Sequence, residues 1–223
     1  LVVITDNDEY KKLMIDDIKE YNNEKILQKA DGKFEDMLKI EDVEKVLKKL
    51  EMDAKHLYKS EHKTMGDLQK IQNYILLALT GGVYQPPRRS LDWLIKFRNY
   101  DAENDNHVNM KNKTFVFNNF KTKSSKGQQV IPISKPLYAI VKKWISVIPA
   151  GSDYLLFDNK MHSMKPSQIT HRLNSVFGKP ISTSMLRHIY LSSKFANVNL
   201  KDLVNTATDM GNSAMQALEY VKR

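Results

Sequence analysis

Cysteine is absent from the 223 residues, so the chain has neither a disulfide framework nor a thiolate metal site. No apolar run approaches the roughly 18 residues that a membrane-spanning helix needs. The opening Leu1-Val2-Val3-Ile4, followed closely by Asp6 and Asp8, is too short for the core of a secretory signal. These absences point to a soluble, intracellular protein that is not secreted. Leu1 is no initiating methionine, so a fragment lacking an N-terminal domain is expected. Glycine is sparse at 8 residues, and the doublet Gly81-Gly82 is followed by no Gly-Lys-Ser/Thr, which excludes a phosphate-binding loop there. His56, His62, His162 and His171 lack the spacing and companions of a zinc site. The stretch Asp101 to Asn106 starts like a calcium loop but has Asn106 where glycine is required and Asn112 at the closing glutamate position, so it reads as a polar connection. Asp16-Asp17 lacks the distant acids that a two-metal nuclease would gather.

Positive charge is in excess: Lys plus Arg number 35 against 26 Asp plus Glu, a formal +9. That balance suits a polyanionic partner. The length supports one or two domains with a proper core. Tyr10, Leu13, Met14, Ile18 and Tyr21 recur at helical steps, and Asn22-Asn23 and Asp31-Gly32 interrupt the pattern. Residues 1–33 are therefore expected to be a linker or the end of a preceding domain, with a catalytic domain over 34–223. Phe34 to Leu57 predicts one or two amphipathic helices, acidic early and basic late. Asp67 to Leu79 predicts a buried helix that Gly81-Gly82 stops. Pro86-Pro87 fits the first positions of a new helix, on which Arg89 and Asp92 would sit one turn apart.

The period then shortens. Val108 and Met110, Phe115 and Phe117, then Val130, Ile131 and Ile133 predict short strands of a small antiparallel sheet, with a basic, flexible turn over Phe120 to Gly127. Helical spacing resumes from Pro136 to Ile148, Tyr154 to Phe157 reads as a short buried strand, and Pro166 opens a further helix. Helices follow around Met185 to Phe195, from a cap at Asn199, and from a cap at Ser213. The expected fold is mainly α with a small antiparallel β-sheet, an α+β domain.

Cleaving a phosphodiester by transesterification needs a nucleophile, cations for the phosphorane and a proton for the leaving oxygen. Arginine's planar, permanently charged fork suits the second task, lysine or histidine the third, and tyrosine the first. Ser184-Met185-Leu186-Arg187-His188, then Met210-Gly211-Asn212-Ser213, then Tyr220 supply such groups near the end of the chain. Over roughly Phe34 to Arg223, this order resembles the catalytic domain of tyrosine recombinases, the lambda-integrase and Cre family, and within it the integrases of large DNA viruses, virophages and related mobile elements.

The resemblance implies a DNA strand transferase. Arg89 and Arg187 would neutralise the transition state, with Asp92 holding Arg89; Arg88 is the fallback, at a spacing to Asp92 that does not match. Lys121 in the turn would protonate the leaving 5′ oxygen, with Lys123 and Lys126 as rivals. Tyr220, eight residues after Asn212, would attack and form a 3′-phosphotyrosyl link. Ser184 stands where the family has a histidine, and Asn212 where it has histidine or tryptophan. Both can bond phosphate oxygens, with His188, but neither shuttles a proton at neutral pH. The family chemistry implies no metal, ATP or other cofactor, double-stranded DNA as partner, and a homo-oligomer, usually a tetramer, on paired sites. In a viral setting, the host nucleus or a viral replication compartment would be the place of action. Two alternatives share these residues: a type IB topoisomerase and a catalytically impaired DNA-binding relative.

Overall fold

The computed structural model describes residues 38–194 and 200–211, without the side chains of residues 125 and 200–204. Apart from Leu38 they belong to one compact unit beginning at Lys39. The division expected at residue 33, the helix expected over 7–26, Asp16-Asp17, the caps at Asn199 and Ser213, and both Asn212 and Tyr220 lie outside the described residues.

Where Phe34 to Leu57 allowed one or two helices, the described part is a single helix α1, Ile40–Lys59. Val43, Leu47 and Ala54 form its buried stripe, and the Asp42 carboxylate accepts from the Lys39 backbone N–H at its start. Helix α2, Met65–Thr80, is capped reciprocally: Thr64 Oγ1 accepts from Asp67 N–H at 3.2 Å, and the Asp67 carboxylate accepts from Thr64 N–H at 3.0 Å. From Ile75 to Thr80 every residue is buried, so α2 is the axis of the core and α1 packs along it. The chain leaves α2 through Gly81 and then Gly82, whose φ of 81° is left-handed. A Cβ on Gly82 would lie 2.8 Å from the Tyr190 ring, so this turn admits no side chain.

The three-stranded antiparallel sheet has the order β1-β2-β3, with β1 His107–Asn109, β2 Thr114–Phe117 and β3 Gln129–Pro132. Met110 falls in the turn after β1, outside the strand. Phe115 and Phe117 are fully buried and meet Trp93 edge-on at 5.8 and 6.1 Å. The basic turn is more structured than its composition suggested, because it contains a one-turn helix α3, Lys123–Lys126, closed by Gly127 at φ 65°.

Helix α4, Lys135–Ile145, buries Leu137, Val141 and Trp144. Residues 154–157, expected as a strand, make only isolated bridges at Tyr154 and Phe157. Leu155 N–H donates to Ile95 C=O at 2.9 Å and Met164 N–H to Leu156 C=O at 3.0 Å, and side chains supply further partners. Gln72, buried in α2, donates to Phe157 C=O at 2.9 Å and accepts from Phe157 N–H at 2.8 Å, while Trp144 Nε1–H donates to Leu155 C=O at 2.8 Å. Helix α5, Pro166–Phe177, ends at Gly178 with φ 66°. Helices α6, Thr183–Lys194, and α7, Leu200–Asp209, complete the described chain. Among the described residues no helix is long and apolar enough to cross a membrane.

Asp101 spends its carboxylate locally, accepting from the backbone N–H of Glu103 and Asn104. That Asx-type turn leads to Asn106, which is buried. The Asn106 amide donates to Asp92 C=O at 3.1 Å and Asn119 C=O at 2.8 Å, and accepts from the N–H groups of Asn118 and Asn119. One side chain thereby fixes the β2 end of the hairpin turn to the segment that carries the arginines.

Candidate functional site

The prolines do not open an α-helix. The backbone is still extended at Arg89, with φ −67° and ψ 152°, and only a 3₁₀-helix of four residues, Ser90–Trp93, follows. This corrects the expected pairing. The buried ion pair of Asp92 is with Arg88, whose Nε donates to Asp92 Oδ2 at 2.9 Å, both side chains having at most 1% exposure. The extended residue before the short helix turns Arg88 inward over Asp92, so the four-residue spacing succeeds where an α-helical reading favoured three.

Arg88 is held on several sides. Its Nη1 donates to Gln129 Oε1 at 2.9 Å and to Asp209 C=O at 2.5 Å. Its guanidinium carbon lies 3.9 Å from the Phe117 ring centroid and 5.2 Å from that of Phe120, a cation–π arrangement. Burial pushes the Arg88 guanidinium down, opposed first by the Asp92 charge, and pushes the Asp92 carboxyl up, opposed by Arg88 and then Arg89 and Arg187. The intrinsic basicity of guanidinium and the 2.9 Å contact keep the pair ionised. Arg88 Nη2 and Asp92 Oδ1 are buried with no hydrogen-bond partner. Gly211, at φ 67°, makes room beside them, since a Cβ there would meet Arg88 Nη2 at 2.9 Å.

Arg89 is half-buried and donates from Nη1 to Gly211 C=O at 2.6 Å, an acceptor shared with Thr122 Oγ1 at 3.2 Å. Arg187, on α6, is 1% exposed and acts on the Asp92 charge. Three guanidinium charges therefore act on one carboxylate, of which Arg88 is in contact with it. His188 is half-buried, and Ser184 is exposed in the first turn of α6.

The hairpin turn brings the lysines to this cluster. Lys121 is exposed, between Phe120 under Arg88 and Thr122 at the Gly211 carbonyl. Lys123 is exposed too. Lys126 Nζ reaches Thr208 Oγ1 at 3.4 Å, and burial, then Arg88 and Arg89, push its ammonium below the usual lysine range. The Asp209 carboxyl is pushed up by burial. The structure thus joins Arg89, Asp92 and Arg187, adds Arg88, and sets the turn bearing Lys121 and Lys126 beside them.

Sequence reasoning missed Gln129 and Thr122, and ranked Arg88 second. The Arg88 signal was available in its four-residue spacing to Asp92; nothing in the sequence singled out Gln129. Among the described residues no group of three or more His, Cys, Asp or Glu could hold a metal ion. Chemically, fixed cations with hydroxyl and amide donors around a buried counter-charge are an arrangement that can hold an oxyanion.

No family model matches the chain, and no curated protein matches it in sequence. Its fold does have solved relatives. It is similar to XerA recombinase, with a TM-score of 0.51 and 13% identity over 78% of this chain and 57% of that one. It is similar also to XerH site-specific recombinase bound to difH substrate in a pre-cleavage complex, at 0.53 and 16% identity over 82% of this chain and 49% of that one. The XerH post-cleavage complex with palindromic difH gives 0.51 and 16% over 84% and 49%. The chain spans about half the length of these recombinases. Its fold is that of the tyrosine recombinase catalytic domain, mainly helical with a small antiparallel sheet.

Proposed function

We propose that the protein breaks and rejoins DNA strands as a site-specific recombinase or integrase of a mobile or viral element. Tyr220 Oη attacks the scissile phosphorus, the bond to the 5′ oxygen breaks, and a 3′-phosphotyrosyl link conserves the backbone energy for rejoining. Arg88, Arg89 and Arg187 neutralise the phosphorane, with Asp92 orienting them and Ser184 and Asn212 adding hydrogen bonds. His188 accepts the phenol proton. Lys121 delivers a proton to the 5′ oxygen; Lys126 is a second candidate, favoured by the lowered ammonium pKa that its burial and Arg88 and Arg89 produce. The working form is a homo-oligomer on paired duplex sites.

The observation that carries this reading is the buried pair of Arg88 and Asp92, tied with Arg89 to the lysine-bearing hairpin and the turn at 209–211, in a fold shared with recombinases. A duplex nicked near the cleavage point, so that the released strand diffuses away, tests it. A protein–DNA adduct that survives denaturant is expected from the wild type and not from Tyr220→Phe. No adduct from wild type, or equal yield from Tyr220→Phe, overturns the mechanism; salt-sensitive duplex binding without an adduct identifies a catalytically impaired relative. Relaxation of supercoiled plasmid without strand exchange identifies the topoisomerase alternative.

A further inference from the structure

We infer that Gln129 is a positioning residue for proton delivery: it registers the lysine-bearing turn against the arginine cluster. The inference rests on the strand-transfer reading and deepens it. Gln129 is the first residue of β3, with its backbone opposite Phe117. Its Oε1 accepts from Arg88 Nη1 at 2.9 Å, and its Nε2 donates to Thr208 C=O at 3.1 Å. The same Arg88 nitrogen donates to Asp209 C=O. Three segments far apart in sequence, the arginine loop, the hairpin and the end of α7, thus close a ring through one amide.

An amide side chain presents an acceptor and a donor on one small planar head. Glutamate would lose the bond to Thr208, lysine the bond from Arg88, and methionine both. The location gives those bonds their leverage. On the β2 side the turn is fixed by Asn106 to Asn118 and Asn119, and Gln128 Nε2 donates across the turn to Asn118 Oδ1 at 2.6 Å. On the β3 side the chain passes through Gly127, at φ 65° with nothing within 4 Å of a Cβ built there. Gln129 is the next side chain beyond Gln128 and the one that grips the arginine. Without it the turn keeps its ties at Asn118, Asn119 and Thr122 but loses the one that joins β3 to the arginine, so it can shift about Gly127 and move Lys121 and Lys126 relative to the leaving oxygen while Asp92 still holds Arg88.

Proton transfer in the transition state needs hydrogen-bond reach, and a misplacement of about 1 Å costs on the order of 100-fold in rate. A sulfur atom in place of the bridging 5′ oxygen removes the requirement, since a thiolate, with a parent thiol pKa of about 8.5, leaves unprotonated. The step on either substrate is otherwise the same: the Tyr220 oxygen bonds to phosphorus and the 5′ group departs with the electron pair.

Full-length Gln129→Met is tested on nicked duplexes carrying a bridging 5′ oxygen or a bridging 5′ sulfur at the cleavage point. Adduct formation is expected to slow roughly 10- to 100-fold on the oxygen substrate and to stay within about 3-fold of wild type on the sulfur one. Duplex affinity is expected to hold within about 3-fold, because the phosphate-contacting cations are unchanged. Wild-type speed on oxygen, or equal slowing on both substrates, overturns the assignment. If circular dichroism shows that Gln129→Met does not fold, Gln129→Thr, a residue suited to a strand and too short to reach Arg88 or Thr208, decides by the same oxygen-to-sulfur ratio. A wild type that forms no adduct with either substrate instead refutes strand transfer, and the role of Gln129 falls with it.

Discussion

Replacing Arg88 by methionine tests whether the centre is built around a buried charge pair. Methionine retains most of the stem volume and removes the guanidinium, so Asp92 is left buried without its ion-pair partner and with only the weaker attraction of Arg89 and Arg187. Breaking one side of such a pair costs about 3–5 kcal/mol, a large share of the roughly 5–15 kcal/mol that a folded domain possesses. The bonds to Gln129 and Asp209 and the stacking on Phe117 disappear as well, so the upper half of that range is expected. Urea titration followed by the fluorescence of Trp93 and Trp144, both at most 1% exposed, reads the loss directly. Acidity supplies the sharper test. Burial already holds the Asp92 carboxyl above its usual range, with Arg88 as the first opposing attraction. A group whose folded pKa is raised stabilises the fold fully only below its unfolded pKa, about 3.9 for aspartate, and loses that contribution as pH climbs through the folded value. Removing Arg88 raises the folded value further, so the deficit of Arg88→Met should grow from about pH 4 toward neutrality. Adding Asp92→Asn should recover more than about half of the loss at pH 7. A deficit below about 1 kcal/mol, or one equal at pH 5 and pH 8, refutes the buried ion pair.

Gly82→Ala should lower stability by about 2–4 kcal/mol in thermal denaturation, since it adds left-handed strain to a contact at 2.8 Å from the Tyr190 ring; a change below about 1 kcal/mol would show that the turn can relax. Gln72→Leu should cost about 2–4 kcal/mol in urea, because both backbone groups of Phe157 lose their partner inside the core; a stabilised variant contradicts that. Duplex affinity should fall steeply with salt, and Arg89→Ala should reduce the slope of log affinity against log salt by about 1. An unchanged slope would remove Arg89 from the phosphate contacts.

Much of this fold could be read from periodicity. Ile71, Ile75 and Leu79 announce α2, Gly81-Gly82 its end, and the alternation around Phe115 and Phe117 the middle strand. Elements held by side chains from elsewhere escaped. Tyr154 to Phe157 has the composition of a strand, but its backbone is divided between single hydrogen bonds to Ile95 and Met164 and the side chains of Gln72 and Trp144, so no ladder forms. Pro86-Pro87 is compatible with a helix start, yet the chain stays extended to Arg89, and that geometry places Arg88 inward on the buried Asp92. Within the site, Arg187 and Asp92 were visible as motif residues. Gln129 was not, since its partners lie 41 and 79 residues away and no local pattern encodes that meeting.

The distances along the chain over which Arg88 finds its partners have a consequence during synthesis. Arg88 takes Gln129 from 41 residues further on and the Asp209 carbonyl from 121 further on. The amino-terminal side of a polypeptide leaves the ribosome first, so the arginine loop emerges well before either partner has been made. A nascent or prematurely terminated polypeptide therefore carries no completed arginine cluster, and translation has to pass Gly211 before Arg88 and Arg89 have all these partners.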